Sequence, residues 1–212
     1  LSSSSAASDV YKRQRIHIGT NPQTQPQKKG SIMTETIAAP APLADTTEQF
    51  KLAFGHQPAG VAIITATDEN GEPAGFTASS LTSVAAEPPI IAFSLKANSG
   101  SAAKIAAASS FLVHMLDAEN VTLAKNFATH DYPRFEDPST WEFVHTGEPL
   151  VHGVRRVLRA TPLSRVEAGP ALVFTAQVEE FIRNDCEGTP LVYHSRNFHA
   201  LGDHSNVNNY SI

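Results

Sequence analysis

The chain has 212 residues, 41% of them hydrophobic, enough for one domain with a sizeable core. Its formal net charge of −5 leaves no basic excess with which to neutralise nucleic-acid phosphates, so nucleic acid is not an expected partner. The one cysteine, Cys186, excludes an internal disulfide and a cysteine zinc cluster, and no apolar run is long enough to span a bilayer; a cytoplasmic protein with no membrane partner is expected.

Leu1 to Lys29 is polar, rich in Ser and Gln, and lacks both a hydrophobic period and the apolar core of a signal peptide. Asp9-Val10-Tyr11-Lys12-Arg13-Gln14 resembles a translated sequencing-library adaptor. Residues 1–32 are therefore read as a disordered or artefactual extension, with Met33 as the natural start, residues 33–44 as a flexible leader, 45–204 as the domain and 205–212 as a tail. Asp45 and Glu48 have the spacing of a helix N-cap and its reciprocal partner, and Phe50, Leu52, Ala53 and Phe54 continue a helical apolar stripe up to Gly55. Val61 to Thr67 is β-branched and apolar, Asp68-Glu69-Asn70-Gly71 supplies turn chemistry, and Ala74 to Val84 resumes as a strand, which predicts a hairpin. Ile90 to Leu95 is a continuous apolar run, the pattern of a strand covered on both faces.

Alanine-rich Ser101 to Ser109 predicts a short helix, Phe111 to Leu116 a strand, and Asn120 to Ala128 a second short helix. Asp131 to Asp137 reads as loop, and Val154–Leu163, Ala171–Ile182 and Pro190–His194 read as strands. Many strands, few short helices and no regular alternation of the two argue against a doubly wound parallel sheet. They favour a mainly β protein with an antiparallel, closed or half-closed barrel.

Two segments carry chemistry. Gly75 to Val84 places small and hydroxyl side chains along a strand, which admits close backbone approach and suits a flat ring with a polar edge; the same residues equally suit a Ser/Thr-rich edge strand. Ser94-Leu95-Lys96-Ala97-Asn98-Ser99-Gly100-Ser101 ends an apolar strand in a polar turn that opens a helix. Its unpaired N–H groups, the Ser99 or Ser101 hydroxyl and the Lys104 ammonium suit a phosphate, although plain N-capping by Asn98, Ser99 or Ser101 uses the same residues. Arg155, Arg156, Arg159 and Arg165 could meet a nucleotide phosphate or form a solvated strand face. The histidines have no paired metal-ligand spacing, and Gly-x-Gly-x-x-Gly after a strand is absent.

Pro58-Ala59-Gly60-Val61, Gly75 to Ser80, Ser83 to Pro89 and Asn98-Ser99 occur in an order that resembles the flavin reductase family of the FMN-binding split barrel. The resemblance runs on through Phe111 to Leu116, Leu123 to Ala128, Phe135, Trp141, Gly147 to Leu150 and Pro190 to His194, covering Thr47 to Gly202. It implies an antiparallel split β-barrel with a few short peripheral helices, a homodimer, and an NAD(P)H:flavin oxidoreductase. Such an enzyme uses NADH or NADPH to reduce FMN or FAD, moving hydride to flavin N5, and supplies reduced flavin to a two-component monooxygenase partner. The flavin would lie on Thr77, Ala78, Ser79 and Ser80, with Ser94 and Leu95 beside the ring or ribityl chain and the phosphate near Asn98, Ser99, Ser101 and Lys104. No catalytic side chain and no metal is expected, because the cofactor carries the chemistry.

One departure stands out. Many members of the family carry Gly-Asp-His before the strand that here begins at Leu172, where this chain has Gly169-Pro170-Ala171. That leaves two further readings open: another flavin-dependent oxidoreductase on the same barrel, or a flavin-binding protein without turnover.

Overall fold

β-branched and apolar residues dominate the segments that pair, and in the computed structural model they build a mainly β, antiparallel molecule. The structure describes residues 43–96 and 100–207, so the readings of 1–32 and most of the leader, and those of Asn98 and Ser99, lie outside the described residues. Helix α1, Leu43–Gly55, leads into the short strand β1, Ala59–Gly60. Then come β2, Ala62–Thr67, β3, Pro73–Ala78, β4, Thr82–Ala86, and β5, Pro89–Leu95. Helix α2, Gly100–Ala107, precedes β6, Phe111–Met115, and helix α3 spans Val121–Ala128. Two short strands follow, β7, Trp141–Phe143, and β8, Pro149–Val151. The long strands β9, Arg156–Ala168, and β10, Ala171–Asn184, come next, and β11, Leu191–His194, and β12, Asn197–Ala200, end the set.

Seven strands form the main sheet in the order β3-β2-β6-β9-β10-β5-β4, and β1-β11-β12 and β7-β8 form two smaller sheets. The sheet's two edges, β3 and β4, are consecutive in the chain, so the sheet must curl until they meet at the corner Ser79-Ser80-Leu81. Expected as one strand from Ala74 to Val84, this segment breaks at that corner instead. The Ser80 hydroxyl spans it, accepting from the Ser94 N–H at 2.9 Å and donating to the Ser94 carbonyl at 3.1 Å. A side chain thus replaces the ladder along the seam, and the barrel is split there.

The side-chain period of two sorts the apolar residues into two cores. Ile64, Phe93, Phe111, Val113 and Phe174 fill the barrel with Ile105 of α2, while Ile63, Leu112, Val157 and Leu150 pack outside it with Ala124 and Phe127 of α3. Phe93 stacks on Phe174 and meets Phe111 edge to face, with centroids 4.9 and 5.2 Å apart. β2 is consequently buried on both faces. β5 is not: Ile91, Phe93 and Leu95 are buried but Ile90, Ala92 and Ser94 are half-covered, which corrects the expectation of two covered faces. Gly75 lets α3 approach β3, since a Cβ there would stand 2.6 Å from Phe127 Cε1.

The hairpin of β7 and β8 and the strand β12 were not expected, being three or four residues long and almost free of β-branched runs. The four arginines of the 155–165 segment all have partners within the chain, Arg165 while remaining exposed. Arg155 pairs with Glu119 and Asp185, Arg156 with buried Asp117, and Arg159 with buried Glu148; Arg165 donates to the Ala106 and Ala108 carbonyls at the end of α2. Among the described residues no helix is long and apolar enough to cross a membrane.

His114, on β6, is fully buried between the two cores. Its Nδ1 donates to the Ile63 carbonyl at 3.2 Å and its Nε2 accepts from the Val151 N–H at 3.0 Å, an arrangement that requires the neutral ring. Burial pushes its pKa down to about 3. The unfolded chain takes up this proton near pH 6.5, so between the two values the unfolded state binds more protons and stability falls as pH falls. We expect His114→Gln to keep both hydrogen bonds and remove this slope. Between pH 7 and pH 5 the parent should lose about 2 kcal/mol more than the variant in urea melts. Parallel pH profiles would mean that His114 is not held neutral.

Candidate functional site

The seam is where the candidate residues gather. Thr77, on β3, is half-buried and its hydroxyl donates to the Ala124 carbonyl of α3 at 2.7 Å, so it ties strand to helix. Ala78 points into the barrel core. Ser79 is exposed and its hydroxyl has no partner among the described residues, whereas the Ser80 hydroxyl is committed to Ser94. Leu95 is buried in the barrel core, leaving its backbone as the only part that faces the seam.

Three hollows open along this corner. One of about 590 Å³ is lined by Phe76, Thr77, Gly100, Ser101, Phe127, His130, Asp131 and Arg134. A second, about 640 Å³, is bounded by Phe54, Pro58, Ser79, Ser80, Thr82, Ser94, Tyr193, His194 and Arg196. A third, about 420 Å³, lies between α3 and the β11–β12 hairpin, and Thr77 and Ser79 belong to its wall as well. Thr77 therefore borders the first and third hollows, and Ser79 the second and third.

Ser101 stands in the first turn of α2 as expected, but Lys104 is in its last turn, because the described helix begins at Gly100 and ends at Ala107. Lys104 lines a separate hollow with Asp68, whose carboxylate it meets at 2.7 Å. The Lys104 hydrogen bond, with those from the Glu72 and Asn70 backbone, holds the Asp68 carboxyl below its usual range. The cation that does share Ser101's hollow is Arg134, which the sequence reading passed over as part of a loop. Its Nε donates to the Phe127 carbonyl at 3.4 Å and its other nitrogens to Tyr132 and Thr129. Burial lowers its pKa, and the charge of Asp131 works the other way. Three carbonyls thus hold the guanidinium at the wall of the hollow, and only its position after α3 in the chain could have signalled this.

The Gly169-Pro170 turn joins β9 to β10, and the register of β10 with β5 sets Leu172 opposite Leu95. The turn lies beside the end of β5 that leads to α2, and it brings no titratable side chain there. Among the described residues no group of three or more His, Cys, Asp or Glu side chains could hold a metal ion. What the site offers is hydroxyls, backbone at a split seam, a helix N-terminus and a guanidinium. That is a binding surface for a flat, phosphate-bearing ligand.

Residues 54–202 match the family described as Flavin reductase like domain. An NADH:FMN oxidoreductase from Rhodococcus qingshengii is 33% identical over 155 residues, which is 71% of this chain and 79% of that protein. The solved flavin reductase domain protein of Arthrobacter sp. FB24 is 35% identical with a TM-score of 0.68, over 74% of this chain and 96% of its own. The flavin reductase component of a bacterial two-component tryptophan halogenase matches at 26% identity and a TM-score of 0.64, over 74% and 99%. The chain belongs to the flavin reductase like family, and its fold is that family's split barrel.

Ser80→Ala should cost about 1 kcal/mol of flavin-free stability, because it leaves the Ser94 N–H without its acceptor. Ser79→Ala, which removes an unpartnered hydroxyl, should change stability by less than about 0.5 kcal/mol. Thermal melts of the two variants check this pair, and equal losses would show that the seam is not held by Ser80.

Proposed function

We propose that this protein is an NAD(P)H-dependent flavin reductase that binds FMN or FAD along Thr77, Ala78, Ser79 and Ser80, with Ser94 and Leu95 beside the ring or ribityl chain. The observation that carries the reading is the split seam, where the strand bearing Gly75-x-Thr77-x-Ser79-Ser80 is open at its end and bordered by three hollows. A flavin fits the residues present: Ala78 is turned into the core, the corner residues Ser79 and Ser80 are small, and Ser79 has a hydroxyl without a partner among the described residues. Its phosphate is assigned to the hollow holding Ser101 and Arg134, at the start of α2, and Asn98 and Ser99, which precede it in the sequence, are proposed to join them. Lys104 is paired with Asp68 in a separate hollow, so Arg134 takes the cationic role expected of Lys104.

When bound, the flavin supplies ring N5 as acceptor of the hydride from nicotinamide C4. The chain's own residues bind and orient. Ser80 keeps the corner in place, Thr77 fixes β3 to α3, and the aromatic and apolar walls of the hollows exclude water. No side-chain acid or base is called for, so Ala171 in place of a family histidine leaves the transfer itself intact.

A two-component monooxygenase is the partner supported by the likeness to the reductase component of a flavin-dependent trigonelline monooxygenase, 31% identical, and the cytoplasm is the compartment in which its cofactors would be met. The protein is a homodimer in this reading: Phe50, Leu52 and Phe54 on α1, with Leu163, Val166 and Phe181 on β9 and β10, are more than half exposed in the single chain, an apolar surface that a second copy would cover. Sedimentation should give twice the chain mass at micromolar concentration with flavin present, and a monomer there would remove the dimer.

NADH and NADPH oxidation, with and without FMN, tests the activity directly, and turnover that depends on added flavin is expected. Ser101→Asp tests the site. A carboxylate against the flavin phosphate should weaken FMN binding by about 2 kcal/mol or more, while riboflavin, which lacks the phosphate, is held as before. The stability of the flavin-free variant should hold or rise by about 0.3 to 1 kcal/mol, since an acidic residue suits a helix N-terminus. Equal losses for both ligands in fluorescence titrations would place the phosphate elsewhere.

A further inference from the structure

The hollow of about 420 Å³ between α3 and the β11–β12 hairpin is lined by two cations, Lys125 and Arg196, and by no carboxylate. This is unusual in a chain whose net charge is −5. Neither side chain has a hydrogen-bonding or ionic partner among the described residues. The other described arginines all have one: Arg134 has three carbonyls, Arg155, Arg156 and Arg159 have carboxylates, and Arg165 and Arg183 have carbonyls.

Arg196 is also held in an awkward backbone conformation. His194 pairs with Asn197, so Ser195 and Arg196 are the two central residues of a tight hairpin turn, with φ of 49° and 64°. Such positions favour Asn and Gly, because a Cβ crowds the backbone there. The turn is fixed in place, its Ser195 N–H donating to the Gly55 carbonyl at 2.8 Å at the end of α1. An arginine in a position that suits glycine, with its head unpaired at the wall of a hollow, is explained by what the side chain would hold. Next to it stand the free Ser79 hydroxyl, Thr129, and the ring pair of Tyr193 and Phe198, whose centroids are 5.1 Å apart. Two cations, a hydroxyl and an aromatic wall suit the diphosphate and base of a dinucleotide.

We propose that this hollow takes the diphosphate of the nicotinamide dinucleotide, held by Lys125 and Arg196, beside the flavin's place on Thr77 to Ser80. The inference rests on the reductase reading, and it supplies the co-substrate contact that Gly169-Pro170-Ala171 does not. The shared wall residue Ser79 sets the two ligands side by side.

The test uses the full chain loaded with FMN and measures binding of ADP-ribose, which carries the diphosphate without the nicotinamide, by calorimetry. Arg196→Gly should weaken ADP-ribose at least tenfold and Lys125→Ala about fivefold, and Arg196→Lys should restore part of the loss. The KM for NADH should rise in the same order. FMN and riboflavin affinities should stay within twofold of the parent, and the melting temperature of Arg196→Gly should hold or rise as the turn relaxes. Unchanged ADP-ribose affinity in Arg196→Gly, or no ADP-ribose binding by the parent, overturns the proposal. A selective loss of FMN over riboflavin overturns it as well, by giving the two cations to the flavin phosphate. If the parent oxidises neither NADH nor NADPH while ADP-ribose binding still falls in both variants, the reductase reading fails and the diphosphate site stands.

Discussion

A sheet whose two edge strands are neighbours in the chain has to bend back on itself, yet the short corner between them cannot also form a ladder. Everything at the candidate site follows from that constraint. β3 ends at Ala78 and β4 starts at Thr82, so Ser79, Ser80 and Leu81 must turn the chain, and the hydroxyl of Ser80 takes both backbone groups of Ser94 in place of a strand partner. A closed ladder would have buried these residues. The open one leaves backbone and small side chains facing three hollows, which is the geometry a flat ligand needs.

The barrel tolerates that opening because its opposite side is strongly held. β2 and β6 are buried on both faces, His114 joins β6 to β2 and β8 through its ring nitrogens, and the Phe93–Phe111–Phe174 cluster fills the interior. Two buried carboxylates are matched by arginines of β9 or the turn before it. Glu148 is hydrogen-bonded by Thr146 and Arg159, and although burial raises its pKa, these bonds and one from Ser110 outweigh that and keep it ionised. Asp117 is paired with Arg156, and Gly188 lets its carboxylate sit there, since a Cβ would fall 2.1 Å from Oδ2. Breaking either pair would strand a buried charge, so these arginines are part of the framework.

Charge at the site is then defined by what the framework leaves over. Of the basic residues that look alike in the sequence, most are spent on carboxylates or helix-end carbonyls, and Lys104 is spent on the β2–β3 turn. Lys125 and Arg196 keep side chains without a partner among the described residues and line one hollow, while Arg134, held by three carbonyls, lines another. Their separation in sequence, 62 positions from Arg134 to Arg196, hides the grouping from any local pattern.

The sequence by itself determined most element types, because periodicity and turn chemistry are local: β2, the start of β3, β5, α2, β6, α3 and the strands β9 and β10 lie where alternation, alanine content or Asp68-Glu69-Asn70-Gly71 put them. It also determined the order of small and hydroxyl residues from Gly75 to Ser80 and the helix start before Ser101, which is why the family was legible. Short strands such as β7, β8 and β12 were not, since they exist through pairing with distant segments. Only the tertiary structure decided that Gly75 to Val84 breaks at Ser79, that β5 is open on one face, and which cations are free. Those outcomes depend on which strands meet and which carboxylates lie within reach, and such partners are brought together by the curl of the sheet.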